Sequence, residues 1–96
     1  MTIDAIHNYY EGLVQERIIE TDEYQSGNMD QDFFEDVACI TLNQLPAKYV
    51  RHSVDLIFYM PQKERNDMYV AVDIAIKSAL DTISKRGNGS EDKQSP

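Results

Sequence analysis

The strongest indication of the fold comes from "DVACITLNQLPAKYVRH", residues 36–52. Its first half carries apolar side chains around most of a helical circumference, which is typical of a helix buried on more than one side. Pro46 ends this central helix, because its ring pushes the preceding Leu45 out of the α region. Two lysine or arginine side chains, a histidine and an aromatic ring then follow closely, at Lys48, Tyr49, Arg51 and His52.

The chain before this stretch predicts one further helix and a loop. Apolar residues at helical spacing indicate an amphipathic helix over residues 3–19, with Thr2 as its N-cap. Residues 20–31 are polar and contain glycine, so a loop is predicted there. The central helix should begin near residues 30–32, where aspartate carboxylates can accept hydrogen bonds from its free N–H groups.

The chain after this stretch predicts a strand and a long helix. Alternating β-branched and aromatic residues favour a short strand over 54–59, with a helical turn as the alternative. Pro61 suits the first position of a long amphipathic helix, and Gly87 suits its C-terminal stop. The buried face of this helix is predicted at Met68, Val72, Ala75, Ala79 and Ile83, and is widened by Val70, Ile74 and Ile76. The expected fold is a small, mainly α domain of three main helices over residues 1–86. The composition of residues 87–96 predicts a disordered tail.

The composition indicates a small globular domain with an acidic surface. The 96 residues include 17 acidic and 9 basic side chains, for a net charge of −8. Such a surface repels nucleic acid backbones and anionic membranes, so we expect no direct DNA or RNA binding and no membrane binding. No basic, apolar leader and no run of roughly 20 apolar residues is present, which predicts a cytoplasmic protein.

The few positive charges are segregated along the chain. No lysine or arginine occurs between Arg17 and Lys48, where seven acidic residues lie, but residues 48–65 hold four cations against two acids. An anionic ligand is therefore expected at the segment after Pro46. Arginine offers a planar fork to phosphate, and a tyrosine ring offers a face for a purine. The candidate ligand-binding residues are Asn43, Lys48, Tyr49, Arg51 and His52.

Two alternatives stay open at this segment. Tyr49 could instead pack against the core, with the neighbouring cations solvating its rim. The Asn43 amide could cap the helix end rather than contact a ligand, because asparagine is a common residue at helix C-termini.

The sequence offers little from which to build a catalytic or metal site. Cys39 lies among apolar residues with no cation beside it in sequence, which predicts a buried packing role. His7 and Glu11 lie one helical turn apart, but no third metal ligand is nearby. With two histidines and no glycine-rich phosphate loop, we expect no enzyme activity, no metal and no cofactor.

The segment "DVACITLNQLPAKY", followed by "VDLIFYM" and a long amphipathic helix, resembles the late competence development protein family ComFB. The family pattern is D-(V/I)-x-A-x-A-L-N-x-L-P-P-(R/K)-Y. An opening helix of the form Y-x-x-L-V-x-E also matches, and the similarity covers about residues 3–83. The pattern is matched at Asp36, Val37, Leu42, Asn43, Leu45, Pro46, Lys48 and Tyr49.

The resemblance implies a small helical homodimer. Family members are implicated in competence, cell-size control and motility, and several are receptors for the cyclic dinucleotides c-di-GMP or c-di-AMP. It therefore implies a second-messenger receptor that regulates motility, biofilm formation or competence, with the messenger at the basic segment. The acidic region 20–36 would then contact a downstream protein partner. The rival hypothesis is a ligand-free homodimeric protein–protein interaction module.

The chain departs from the family pattern at several positions. One type of member binds zinc through a cysteine cluster between the first two helices, and the corresponding region here has no cysteine, so zinc is not expected. Ala47 replaces the second proline, and Thr41 replaces a small apolar residue. Cys39 stands at an alanine position, which agrees with its predicted packing role.

Overall fold

The computed structural model describes residues 1–51 and 60–93, with side chains described through Arg86. These ranges are mainly helical, as predicted, with four helices and a two-stranded antiparallel sheet. The predicted strand over 54–59 lies outside the described residues. In chain order the elements are β1 (His7–Asn8), α1 (Tyr9–Ile19), α2 (Asp22–Gln25), α3 (Gln31–Asn43), β2 (Tyr49–Val50) and α4 (Gln62–Lys93).

The first helix begins later than the sequence predicts. Its N-cap is Asn8 rather than Thr2, and the Asn8 side-chain oxygen accepts a hydrogen bond from the Tyr10 N–H at 3.1 Å. Ile3 and Ile6 precede the helix and are exposed. The prediction was wrong because His7–Asn8 is extended and pairs with β2, an interaction across the fold that helical spacing does not reveal.

The polar region 20–31 contains a short helix, α2, where the sequence predicts only a loop. Thr21 caps it by accepting a hydrogen bond from the Tyr24 N–H at 3.2 Å. Gly27 follows at φ 83°, a left-handed conformation that favours glycine. The predicted start of the central helix is confirmed, since the Asp30 carboxylate accepts a hydrogen bond from the Phe33 N–H at 2.8 Å.

The core forms where α3 packs against both α1 and α4. From α3, Val37 and Thr41 are completely buried. Cys39 is exposed, so its predicted burial was wrong. Two residues along a helix turn the side chain by about 200°, which places Cys39 on the side opposite Val37 and Thr41. The other buried apolar residues are Tyr10, Leu13, Val14, Ile18, Met60, Met68, Val72, Ala75, Ile76 and Ala79.

The long helix α4 continues to Lys93, so the predicted stop at Gly87 was wrong. Glycine lowers helix propensity without removing a backbone hydrogen bond, and it does not by itself end a helix. Val70 and Ile74 were expected to widen the buried face of α4, but they are exposed. The disordered tail over 87–96, of which 94–96 lie outside the described residues, stays a prediction.

An exposed ion pair joins α1 to α4. Arg17 donates two hydrogen bonds to the Asp73 carboxylate, from Nε at 2.9 Å and from Nη2 at 3.1 Å. The guanidinium also lies 5.5 Å from the centre of the Tyr69 ring. The hydrogen bond to Asp73 raises the pKa of Arg17 further above its usual value.

In the described part of the chain, no helix is long and apolar enough to cross a membrane.

Candidate ligand-binding site

The basic segment after Pro46 comprises Lys48, Tyr49, Arg51 and His52. Its Tyr49 lies in β2, which is held in place by pairing with β1, directly before α1. The strands are antiparallel, with His7 opposite Val50 and Asn8 opposite Tyr49. The Tyr9 N–H donates to the Lys48 carbonyl at 2.7 Å. Because β2 is fixed to β1, the segment is part of the fold and not a free turn.

Asn8 joins this segment to α1 through one side-chain oxygen. Besides the Tyr10 N–H, that oxygen accepts a hydrogen bond from the Lys48 N–H at 3.0 Å. Asn8 is thus a positioning residue that the sequence interpretation missed. The available signal was an asparagine directly before an apolar helical run, since asparagine is a favoured N-cap.

The ammonium group of Lys48 already has an acidic partner. Its Nζ lies 3.1 Å from a carboxylate oxygen of Glu64, in the first turn of α4, and both side chains are about two-fifths exposed, at 41% and 42%. Exposed pairs of this kind contribute little stability, about 0–1 kcal/mol. Lys48 can therefore exchange its partner for an anionic ligand at small free-energy cost.

The ring of Tyr49 is 69% exposed. Side chains alternate along a strand, and Val50 next to it is half-buried. The alternative in which Tyr49 packs against the core therefore does not hold. Arg51 is also exposed. His52 lies outside the described residues.

Asn43 lies in the last turn of α3 and is exposed. The C-cap of that helix is Gln44, whose backbone N–H bonds to the carbonyls of Thr41 and Leu42. The Asn43 amide nitrogen instead lies 3.8 Å from the Cys39 sulfur, a weak acceptor. Within residues 1–51 and 60–86, the Asn43 side chain makes no hydrogen bond to a carbonyl of α3, and the residue is exposed.

Two tyrosines lie at the start of α1, where Tyr10 is buried and Tyr9 is partly buried. Burial raises the pKa of the Tyr10 hydroxyl, with Lys48 opposing the shift and Glu64 adding to it. Burial also raises the pKa of Tyr9, with Tyr69 adding to the shift and Arg65 opposing it. Arg65 therefore lies close enough to α1 to act on the Tyr9 hydroxyl. It adds a further positive charge on this side of the domain.

A cleft of about 370 Å³ lies elsewhere, between the α1–α2 connection and α4. Its lining includes Arg17 and Lys77 but more carboxylates, from Glu20, Asp22, Glu23 and Asp73. The excess of acidic groups makes it a poor site for a phosphate-bearing ligand. Across residues 1–51 and 60–93, no three His, Cys, Asp or Glu residues cluster so as to hold a metal ion.

Comparison with known proteins identifies the family. No curated protein and no solved structure gives a significant match. A sequence model of the family described as late competence development protein ComFB matches residues 7–87, which include both strands and the basic segment. Because the match covers most of the 96 residues, the chain belongs to the ComFB family.

Proposed function

We propose that this ComFB-family chain is a receptor for a cyclic dinucleotide, c-di-GMP or c-di-AMP, and that it catalyses no reaction. The observation that carries the proposal is the exposed ring of Tyr49, which lies in sequence between Lys48 and Arg51. The ring is on strand β2, which is fixed by its pairing with β1. The proposed contacts are Asn43, Lys48, Tyr49, Arg51 and His52.

Four of the five proposed contacts have distinct chemical roles. A purine base stacks on the exposed Tyr49 ring, which is worth about 1–3 kcal/mol per base in single-strand binders. The Arg51 guanidinium offers its fork to a phosphate or to the O6/N7 edge of guanine. Lys48 leaves Glu64 and neutralises a phosphate. The exposed Asn43 amide can donate to the ligand or accept from it.

The proposed receptor acts in the cytoplasm as a homodimer. Messenger binding at Lys48 frees the Glu64 carboxylate at the start of α4, which changes the charge of the surface around the site. We propose that this change is passed to a downstream protein through the acidic region 20–36. The regulated behaviour is motility, biofilm formation or competence.

Isothermal titration calorimetry with c-di-GMP and with c-di-AMP tests the proposal. We expect one of the two to bind with a micromolar Kd or tighter. No heat at roughly 50 µM protein, at which a micromolar Kd is readily measured, would contradict the proposal if circular dichroism shows folded protein.

Variants separate the receptor from the rival, a ligand-free interaction module. In a receptor, Arg51→Ala and Tyr49→Ala abolish binding and leave the Tm within a few degrees, since both side chains are exposed. Lys85→Ala is the matched control, an exposed cation whose partner is Asp81 on the same helix. In the ligand-free module, Arg51→Ala changes no affinity and Asn43→Ala lowers the Tm sharply.

A further inference from the structure

The outer side of α4 carries a regular stripe of six residues: Lys63, Asp67, Val70, Ile74, Lys77 and Asp81. Their spacing alternates between four and three residues, as in one seam of a coiled coil. At about 100° per residue, all six fall within an arc of roughly 80°. This arc lies opposite the buried Val72 and Ala79.

The centre of this outer stripe is apolar and faces solvent. Val70 is 56% exposed and Ile74 is 65% exposed. Charged side chains flank the pair on both sides, and Lys63, Asp67 and Asp81 are 86%, 65% and 64% exposed. Two adjacent apolar side chains exposed on one face of a helix form a surface suited to a partner.

The order of charges along the outer stripe is self-complementary. From the N-terminal end it runs positive, negative, apolar, apolar, positive, negative. A second copy running in the opposite direction presents the same order reversed. With the two-fold axis at the level of residue 72, Val70 meets Ile74 of the second copy. Asp67 then meets Lys77 of the second copy, and Lys63 meets its Asp81.

From this pattern we infer that the outer stripe binds a second copy of this chain. The two α4 helices pack antiparallel about a two-fold axis, an isologous contact in which every pair occurs twice. A parallel arrangement in register would set Lys63 against Lys63 and Asp67 against Asp67, so charge repulsion selects the antiparallel one. The inference rests on the homodimer of the proposed function and assigns its interface.

The exposed ion pairs of the single chain do not oppose this contact. Lys63 pairs with Asp67 at 3.0 Å and Lys85 pairs with Asp81 at 3.3 Å, each one turn apart on the same helix. Such exposed pairs are weak, so their side chains can also reach a second copy. Because four charge pairs surround a small apolar centre, the dimer should depend on concentration and weaken as salt screens the charges.

Charge reversal at one pair tests the interface. Asp67 and Lys77 are ten residues apart on one helix, roughly 15 Å, so they cannot pair within a chain. Asp67→Lys alone and Lys77→Asp alone each create two like-charged pairs in a homodimer. We expect each to raise the dimer Kd at least about tenfold, because like charges facing each other across an interface are strongly unfavourable. Arg86→Glu, an exposed charge reversal outside the outer stripe, is the matched control.

Mixing the two single variants is the decisive experiment. In the mixed dimer both charge pairs are attractive again. The lysine introduced at position 67 of one chain meets the aspartate introduced at position 77 of the other. The unchanged Lys77 of the first chain meets the unchanged Asp67 of the second. Sedimentation equilibrium at low salt should therefore show wild type and the mixture approaching twice the chain mass of 11.1 kDa, while each variant alone stays lighter. The double variant D67K/K77D should also recover the dimer.

Three results would overturn the inference. These are a wild-type mass that stays at 11.1 kDa up to about 500 µM, single variants that dimerise like wild type, and a mixture that stays monomeric. Calorimetry with c-di-GMP and c-di-AMP on the same samples measures messenger binding separately. The interface and the receptor function can therefore fail independently.

Discussion

Replacing Asn8 with alanine should destabilise the domain more than the loss of an ordinary helix cap. The Asn8 oxygen accepts two backbone hydrogen bonds, from Tyr10 at 3.1 Å and from Lys48 at 3.0 Å. Loss of an N-cap costs about 1 kcal/mol. Loss of the second bond adds about 1 kcal/mol, because the partly buried Lys48 N–H is left without its acceptor.

The expected total for Asn8→Ala is therefore a loss of about 2 kcal/mol in the free energy of unfolding. For a domain of this size, that lowers the Tm by roughly 8–16 °C. Urea unfolding followed by circular dichroism measures the change. Hydrogen exchange should show lost protection at the Tyr10 and Lys48 amides, because both lose the same acceptor.

Two variants control for this prediction. Asn8→Asp keeps an acceptor at the same place and should stay close to wild type. Asp30→Ala removes a cap whose side chain accepts one hydrogen bond among the described residues, from the Phe33 N–H, and should lose only about 1 kcal/mol. A free-energy loss for Asn8→Ala no larger than that for Asp30→Ala, or one for Asn8→Asp as large as that for Asn8→Ala, would contradict the dual role of the Asn8 oxygen.

Two further predictions concern buried polar groups. The Thr41 hydroxyl is fully buried and has no hydrogen-bond partner among the described residues. Thr41→Val should therefore raise the free energy of unfolding by about 1 kcal/mol. A lower free energy of unfolding in urea would show instead that the hydroxyl is hydrogen-bonded. Because burial raises the pKa of Tyr9 and Tyr10, the folded chain holds these protons more tightly than the unfolded chain. Their stabilising contribution is complete below pH of about 10 and is lost as pH rises through the folded pKa values. The variant Y9F/Y10F should therefore lose stability less steeply than wild type between about pH 9 and 11, and equal slopes would contradict the assignment.

Local sequence signals determined much of the fold. The Asp30 carboxylate marks the start of α3, and the helix has ended before Pro46. The apolar spacing of Met68, Val72 and Ala79 correctly predicts the buried face of α4. These features depend on residues within one or two helical turns, where capping and side-chain periodicity act directly.

The start of α1 shows where local signals fail. Ile3 and Ile6 fit the helical spacing of the residues that follow, although Asn8 is a favoured N-cap residue. What stops the helix at Tyr9 is the pairing of His7–Asn8 with Tyr49–Val50. The Asn8–Lys48 hydrogen bond, which supports this pairing, joins residues 40 positions apart.

Burial is also hard to predict from sequence where a helix carries apolar residues on both of its sides. Val70 and Ile74 are as apolar as Val72 and Ile76, so apolarity alone does not separate the two pairs. The packing of α1 and α3 against α4 decides how far the buried face extends around the helix. It leaves Val70 and Ile74 in solvent, and for the same reason the exposed side of α3 carries Cys39.

Composition and local patterns are enough to predict the helical class, the segregation of positive charge after Pro46 and the aromatic ring among those charges. The exposure of Tyr49, the Lys48–Glu64 ion pair and the anchoring of the segment by Asn8 follow from the folded arrangement. The difference lies in distance along the chain. Composition and periodicity act locally, whereas each of these features depends on elements that become neighbours only when the chain folds.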